Sequence, residues 1–396
     1  MRISYTPEQE ALRRELRAYF DTLLTPERRA ALMSTTGEYG SGDVYRETVA
    51  QMGRDGWLAL GWPEEYGGQA RPAMDQLIFT DEAAVAGAPV PFLTINSVAP
   101  TIMAFGTDEQ KQTYLPGIAA GDIHFAIGYS EPEAGTDLAN LRTSAIRDGD
   151  DYIINGQKMW TSLIQYADYI WLAVRTNPGA DGVTRKHRGI SVLVVPTTAD
   201  GFSWTPVHTM AGPSTSATYY QDVRVPVGNR IGEENAGWKL VTNQLNHERV
   251  ALVSAQPIFT ALNQVRAWAQ HTKNGRGERL IDSEWVQLNL ARVHAKAEYL
   301  KLINWELASA QAATPSPADA SAAKVFGTEL ACEAYRLLME ILGPSATLRQ
   351  DSPGALLRGR VERMHRAALI LTFGGGTNEV QRDIIGMTAL GLPRNR

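Results

Sequence analysis

The 396-residue chain holds a single cysteine, Cys332. An internal disulfide is therefore excluded, and a reducing compartment, the cytoplasm, is the expected location. No histidine or second cysteine stands near Cys332 in sequence, so it reads as structural and no metal site is expected. No basic run interrupts a formal net charge of -5, and nucleic acid is not an expected partner. No apolar run approaches the roughly 20 residues that span a bilayer. Helix-start signals begin at Thr6, and no N-terminal signal segment is expected. Internal repeats and low-complexity tails are missing too. What is present is 44% apolar and 20% charged residues, a globular composition, at a length that predicts two or three packed domains.

Residues 1–123 read as helices and loops. Thr6-Pro-Glu-Gln9 and Thr107-Asp-Glu-Gln110 are capping boxes, and Leu12, Leu16, Tyr19, Phe20 and Leu23 follow helical spacing. Gly61-Trp-Pro-Glu-Glu-Tyr-Gly-Gly68 is a turn-rich loop. From His124 the pattern changes to short β runs: Tyr152-Ile-Ile, Tyr169 to Val174, Gly189 to Val195, Phe202-Ser-Trp and Ala217 to Tyr220. Asn155-Gly156 lies between two such runs and predicts a tight hairpin turn. This β domain is expected over 124–232. Residues 233–396 read as a helical bundle, interrupted near Pro257. Asp282 is the expected cap of a long helix carrying Val286, Leu290, Val293, Ala297, Leu300 and Leu307 on one face, and Leu356 to Leu371 reads as a further helix.

Three fragments carry the chemistry. Ala126-Ile-Gly-Tyr-Ser-Glu-Pro-Glu-Ala-Gly-Thr-Asp137 combines small residues, one proline and a Gly-Thr-Asp close, which suits backbone wrapped around a ligand. Lys158-Met-Trp-Thr-Ser162 follows it, and Phe373-Gly-Gly-Gly-Thr-Asn-Glu-Val-Gln-Arg382 lies near the C-terminus. Alone, the first is an ordinary turn and Trp160 a core aromatic. Together, at this spacing, they resemble the acyl-CoA dehydrogenase family over nearly the whole chain. That resemblance implies an α+β multidomain fold, with an N-terminal α-helical domain, a middle β-barrel or sandwich domain and a C-terminal helical bundle. It also implies FAD as cofactor, an acyl-CoA thioester as substrate and α,β-dehydrogenation as the reaction. Tyr129, Ser130, Thr136, Trp160, Thr161, Ser162, Thr377, Asn378 and Glu379 match cofactor-contact positions. Thr136, Asn246 and Arg249 are expected at the substrate.

The resemblance also directs the search for the base that removes the α proton. Many family members place a glutamate immediately before Gly-Thr in the C-terminal motif. Here that position is Gly375, which cannot take a proton. Other branches place it in a Leu-x-x-Glu-Arg context, and this chain has Leu245-Asn-His-Glu-Arg249. Glu248 is thus the expected base, although a Glu-Arg pair on a helix is by itself a solvated face. His247 beside it is placed either to tune Glu248 or simply in solvent, and the second is the expected reading.

Two bundle segments depart from the family pattern. Thr272-Lys-Asn-Gly-Arg-Gly-Glu-Arg279 lacks the Thr-Phe of a cofactor contact made to a neighbouring subunit. Glu340-Ile-Leu-Gly-Pro-Ser-Ala346 lacks a glutamine and has proline for a glycine. These losses are similar to the base-bearing subunit of heterotetrameric α2β2 enzymes that shorten steroid side chains. A second acyl-CoA dehydrogenase-like subunit and an electron-transferring flavoprotein are the implied partners. A homotetrameric enzyme of a branched or medium acyl-CoA, a non-catalytic subunit, and a flavin oxidase or monooxygenase on the same fold are the alternatives.

Overall fold

Both capping boxes form as the sequence predicts. Thr6 and Gln9 exchange hydrogen bonds at the start of α1 (Pro7–Leu23), and Thr107 and Gln110 do the same at α6 (Asp108–Ala119). The computed structural model describes residues 3–33, 43–177, 186–212, 214–251, 253–310, 316–350 and 352–393, the side chains of residues 248–251 excepted. Between α1 and α6 lie α2 (Pro26–Met33), α3 (Asp43–Arg54), α4 (Ala73–Ala86) and α5 (Ala99–Phe105). α1 buries Leu12, Leu16, Phe20 and Leu23, one apolar stripe at helical spacing, and packs on α4. The Gly61–Gly68 loop makes a 3-10 turn over Glu64–Tyr66 and packs on α6. Gly68 lies so close to Trp62 that a Cβ would meet its carbonyl oxygen at 2.1 Å.

The β domain is one mixed sheet. Its strands are β1 (Phe125–Gly128), β2 (Ser144–Asp148), β3 (Asp151–Lys158), β4 (Tyr169–Arg175), β5 (Ile190–Pro196), β6 (Phe202–His208), β7 (Ser214–Pro226) and β8 (Arg230–Ile231). Their order is β6-β7-β3-β2-β4-β5-β8, with β1 parallel to β4. The two-residue period sends Ile170, Leu172 and Val174 of β4 to one core and Trp171 and Ala173 to the other. Burial on both faces explains why β4 and β5 read as continuous apolar runs.

The hairpin expected at Asn155-Gly156 is not there. The β2–β3 turn is Gly149–Asp150, with Gly149 at φ 63°, and Asn155-Gly156 lies inside β3 at a register shift against β7. Two Gly-containing turn signals compete within nine residues, and tertiary packing decides between them. A Cβ on Gly156 would come within 2.6 Å of Thr143 Oγ1, while Asn155 and Asp222 exchange hydrogen bonds of 2.9 and 3.0 Å across the bulge.

The bundle comprises α7 (Gly237–Ala251), α8 (Gln256–His271), α9 (Glu284–Ser309), α10 (Pro317–Leu342), α11 (Arg360–Leu371) and α12 (Asn378–Thr388). α10 is its axis and packs on the other five. The break near Pro257 forms, with the proline in the first turn of α8. Asp282 does not cap α9. Ser283 holds that position, and Asp282 closes a 3-10 turn and pairs with Arg279 at 2.8 Å. The helix expected from Leu356 begins at Arg360, because Leu357 and Arg358 take φ of 47° and 53°. Cys332 is half-buried, and burial raises its thiol pKa. Among the described residues no helix is long and apolar enough to cross a membrane.

The N-terminal helices meet the bundle where α4 packs on α8 and α9. There Asp81 is 5% exposed, and burial pushes its carboxyl up to about 6, from 3.8. A carboxyl raised on folding contributes stability fully present below about pH 4 and lost as pH rises through 6. The difference corresponds to about 3 kcal/mol at neutral pH. Asp81→Asn is therefore expected to melt higher than the parent at pH 7.5, and the gap should close below pH 4. Equal melting temperatures at both values would refute the shift.

Candidate active site

Two of the three fragments converge at the ends of β1 and β3. Met159 N–H donates to the Ser130 carbonyl at 2.8 Å, which ties the loop after β1 to the end of β3. Beneath this contact lies an ion pair, Lys158 with Glu131 at 2.8 Å, the lysine fully buried and the glutamate 9% exposed. Lys158 Nζ also donates to the Tyr129 carbonyl at 3.0 Å. The Glu131 carboxylate accepts from the backbone N–H groups of Arg142 (2.7 Å) and Thr143 (2.9 Å). Burial pushes the Lys158 ammonium down to about 8 against the attraction of Glu131. Burial pushes the Glu131 carboxyl upward, but the Lys158 charge and the three kinds of donor outweigh it and hold it below its ordinary value. Both ends of the loop 130–143 are thus fixed to one buried charge.

Around this pair the expected cofactor residues take distinct positions. Tyr129 is buried, and its hydroxyl accepts from Trp171 Nε1 at 2.9 Å. Trp160 is 56% exposed and left-handed, at φ 66°. A bulky residue in that region is strained by roughly 1–3 kcal/mol, and such residues cluster at ligand sites. Next to it Thr161 is fully buried, with its N–H on the Ser216 carbonyl at 2.9 Å and its hydroxyl 3.4 Å from that of Thr218. The Ser162 hydroxyl lies 3.2 Å from that of Thr215. Thr136 is exposed on the loop, and the neighbouring Asp137 pairs with Lys186 at 2.7 Å. An exposed indole held by a buried neighbour, beside a row of hydroxyls, provides a flat stacking face with polar groups at its edge.

Thr377, Asn378 and Glu379 belong to the bundle rather than to this cluster. Thr377 caps α12, accepting from the Val380 N–H at 3.3 Å, and Glu379 is exposed. Asn378 is buried and used internally. It accepts from Lys324 Nζ at 2.7 Å and donates to Thr328 and Glu329. Lys324 is buried as well and also donates to the Gly376 carbonyl at 2.9 Å, so α10 grips the glycine run from behind. Gly375 and Gly376 take φ of 68° and 94°, a region that favours glycine.

α7 carries the remaining candidates. It packs on β5, on α5 and on a π-helical turn, Thr94–Val98, that also touches β1. Asn246 is half-buried on it. Glu248 and Arg249 lie in its last turn by backbone, and their side chains are outside the described residues. His247 is not solvated as expected. It is half-buried, and burial pushes its imidazole pKa down, which keeps it neutral at pH 7.

Glu131 and Lys158 stand inside the quoted fragments, yet nothing there assigns them a role. The available signal was a lysine at the end of a strand and a glutamate in the loop after β1. Arg175 had a similar signal at the end of β4. It is 7% exposed, and its guanidinium donates to the carbonyls of Ala139 (2.7 Å) and Leu141, bracing the same loop from below.

Three family descriptions match the chain: acyl-CoA dehydrogenase N-terminal domain at 6–122, middle domain at 126–223 and C-terminal domain at 235–390. The chain is 83% identical to acyl-CoA dehydrogenase FadE26 of Mycobacterium tuberculosis, over 100% of this chain and 99% of that one. Among solved structures, it is similar to a chain of the ChsE4-ChsE5 complex from Mycobacterium tuberculosis, at 82% identity, TM-score 0.92 and full coverage of both chains. It is also similar to the Tcur3481-Tcur3483 steroid ACAD, at 47% identity, TM-score 0.90 and full coverage of both.

Proposed function

We infer the reaction from one premise: the chain belongs to the acyl-CoA dehydrogenase family. It is an acyl-CoA dehydrogenase, and its proposed substrate is the CoA thioester of a steroid side chain. Its three parts are taken as residues 1–123, 124–232 and 233–396. The observation that carries the substrate reading is the full-length likeness to a chain of the Tcur3481-Tcur3483 steroid ACAD. The absence of the Thr-Phe and glutamine signals at Thr272–Arg279 and Glu340–Ala346 supports a second, unlike subunit.

The exposed Trp160 indole, next in chain to Thr161 and Ser162, fits a planar heterocycle with polar edges, and FAD is the proposed cofactor, with Tyr129, Ser130, Thr136, Thr161 and Ser162 its proposed further contacts. When bound, the flavin supplies acceptance of the β hydride. The chain does the rest. Glu248 takes the α proton onto a carboxylate oxygen. Asn246, Arg249 and Thr136 orient the thioester so that the proton faces that oxygen. Thr377 and Glu379 complete the cofactor site from the bundle, and Asn378 holds their loop against α10. Electrons leave to an electron-transferring flavoprotein.

The test is the flavin content of the chain purified alone, and co-purified with a dehydrogenase-like protein encoded beside its gene. The expected result is little flavin alone and one FAD per pair of unlike chains together. Steroid-side-chain CoA thioesters should then turn over faster than straight-chain ones. One FAD per chain when alone would overturn the two-subunit reading.

A further inference from the structure

The chain between α7 and α8 is gripped from two sides. On one side Asp81 of α4 accepts from the Ser254 hydroxyl at 2.7 Å and from the Gln256 side chain. Ser254 Oγ in turn accepts from the Gln256 N–H at 3.1 Å, which closes the entry to α8. On the other side Asn304 of α9, itself 6% exposed, donates to the Val253 carbonyl at 2.7 Å. The turn so held begins at Val253, two positions after α7 ends at Ala251, and the last turn of α7 contains Glu248.

The charges around Asp81 make this placement costly. Its neighbour Glu82 receives the cations of α1, Arg13 and Arg17, each at 2.8 Å. The other titratable group close by is Tyr5, which stacks on Trp305 of α9, over whose ring Lys301 lies at 5.5 Å. Asp81 is left with neutral partners, Ser254 and Gln256. A carboxylate buried among neutral donors is costly, so what Asp81 supplies here is the paired acceptor for Ser254 and Gln256 rather than its charge. The feature it holds is the chain leaving the base helix.

We propose that Asp81 is a positioning residue for the dehydrogenation: with Asn304 it fixes the turn Val253–Gln256 and, through that turn, the end of α7 that carries Glu248. This rests on the reading of Glu248 as the base. A base displaced by about 1 Å loses on the order of 100-fold in rate. The carboxylate, unlike an alanine, holds Ser254 and Gln256 together, and an asparagine keeps an acceptor for Ser254.

The test uses the full-length chain in complex with the unlike subunit, with a steroid-side-chain CoA thioester and an artificial electron acceptor. Asp81→Ala should lower kcat by about 10- to 100-fold, with KM within about twofold and flavin per pair unchanged. Asp81→Asn should retain kcat within about threefold. Ser254→Ala, a milder change, should fall between them. Amide exchange at 253–256 should rise about tenfold in Asp81→Ala and stay near the parent rate in Asp81→Asn. Unchanged kcat with faster exchange would overturn the link to the base, and unchanged exchange would overturn the clamp. Equal losses in Asp81→Ala and Asp81→Asn, with flavin falling in parallel, would mark a general folding role and overturn the proposal. Glu248→Gln is assayed beside them. Full activity there would fail the base reading, while the exchange data still report on the clamp separately.

Discussion

Lys158→Met is expected to lower the unfolding free energy by about 3–5 kcal/mol, because it leaves Glu131 as an uncompensated charge under the loop. The loss is larger than a surface pair could give, since exposed pairs contribute about 0–1 kcal/mol. Three contacts change at once. The Tyr129 carbonyl loses its buried donor, the Glu131 carboxylate loses its cation, and burial without the lysine favours its protonation, which weakens the bonds it accepts from the Arg142 and Thr143 N–H groups. The loop 130–143 should therefore loosen where Ser130 and Thr136 are proposed to meet the flavin, and flavin per pair should fall together with stability. Glu131→Gln combined with Lys158→Met removes both charges and should recover more than half of the lost stability. Urea unfolding of the parent and the two variants, with flavin absorbance per pair, decides the matter. A single variant within about 1 kcal/mol of the parent would show that the pair does not hold the loop.

The order of domains was legible in the sequence, and most of what holds the three fragments in place was not. Caps are local, so Thr6 and Thr107 were legible as written. The apolar runs of β4 and β5 were legible because burial on both faces leaves few polar interruptions. Asn155-Gly156 misled because a turn signal states only that the backbone can bend. Thr143 pressing against Gly156 makes that freedom necessary inside a strand. Leu357 and Arg358 are left-handed in a run with good helix propensity, and no local rule marks them. Glu131, Lys158, Arg175 and Asp81 were invisible as a class. A charged residue reads as surface until the residue opposite it is known, and Lys158 lies 27 positions from Glu131, Ala139 lies 36 from Arg175 and Ser254 lies 173 from Asp81. His247 failed for the same reason, since its burial depends on what α7 packs against.

Glu248→Gln is expected to lower kcat by about 10²- to 10⁴-fold, the range that a positioned general base contributes. Glutamine keeps the shape of the side chain and cannot accept the α proton, so KM should stay within about threefold and flavin per pair should not change. Two alternatives are poorly suited to the task. Position 375, where other family members carry the base, is a glycine at φ 68°, followed by another at φ 94°, and Lys324 draws the Gly376 carbonyl toward α10. An L side chain in that backbone is disfavoured by about 1–2 kcal/mol. His247 is adjacent in sequence but not on the same helix face, because neighbours one residue apart diverge by about 100°. Its ring is neutral at pH 7, so it adds no positive charge that would weaken the carboxylate as a base. The rate loss should therefore fall on Glu248 alone. Glu248→Asp, which keeps the carboxylate and withdraws it by one methylene, should lose less than Glu248→Gln. If both substitutions lose equally, position rather than basicity sets the rate. If neither loses, the proton goes to another residue and the assignment of Glu248 is wrong.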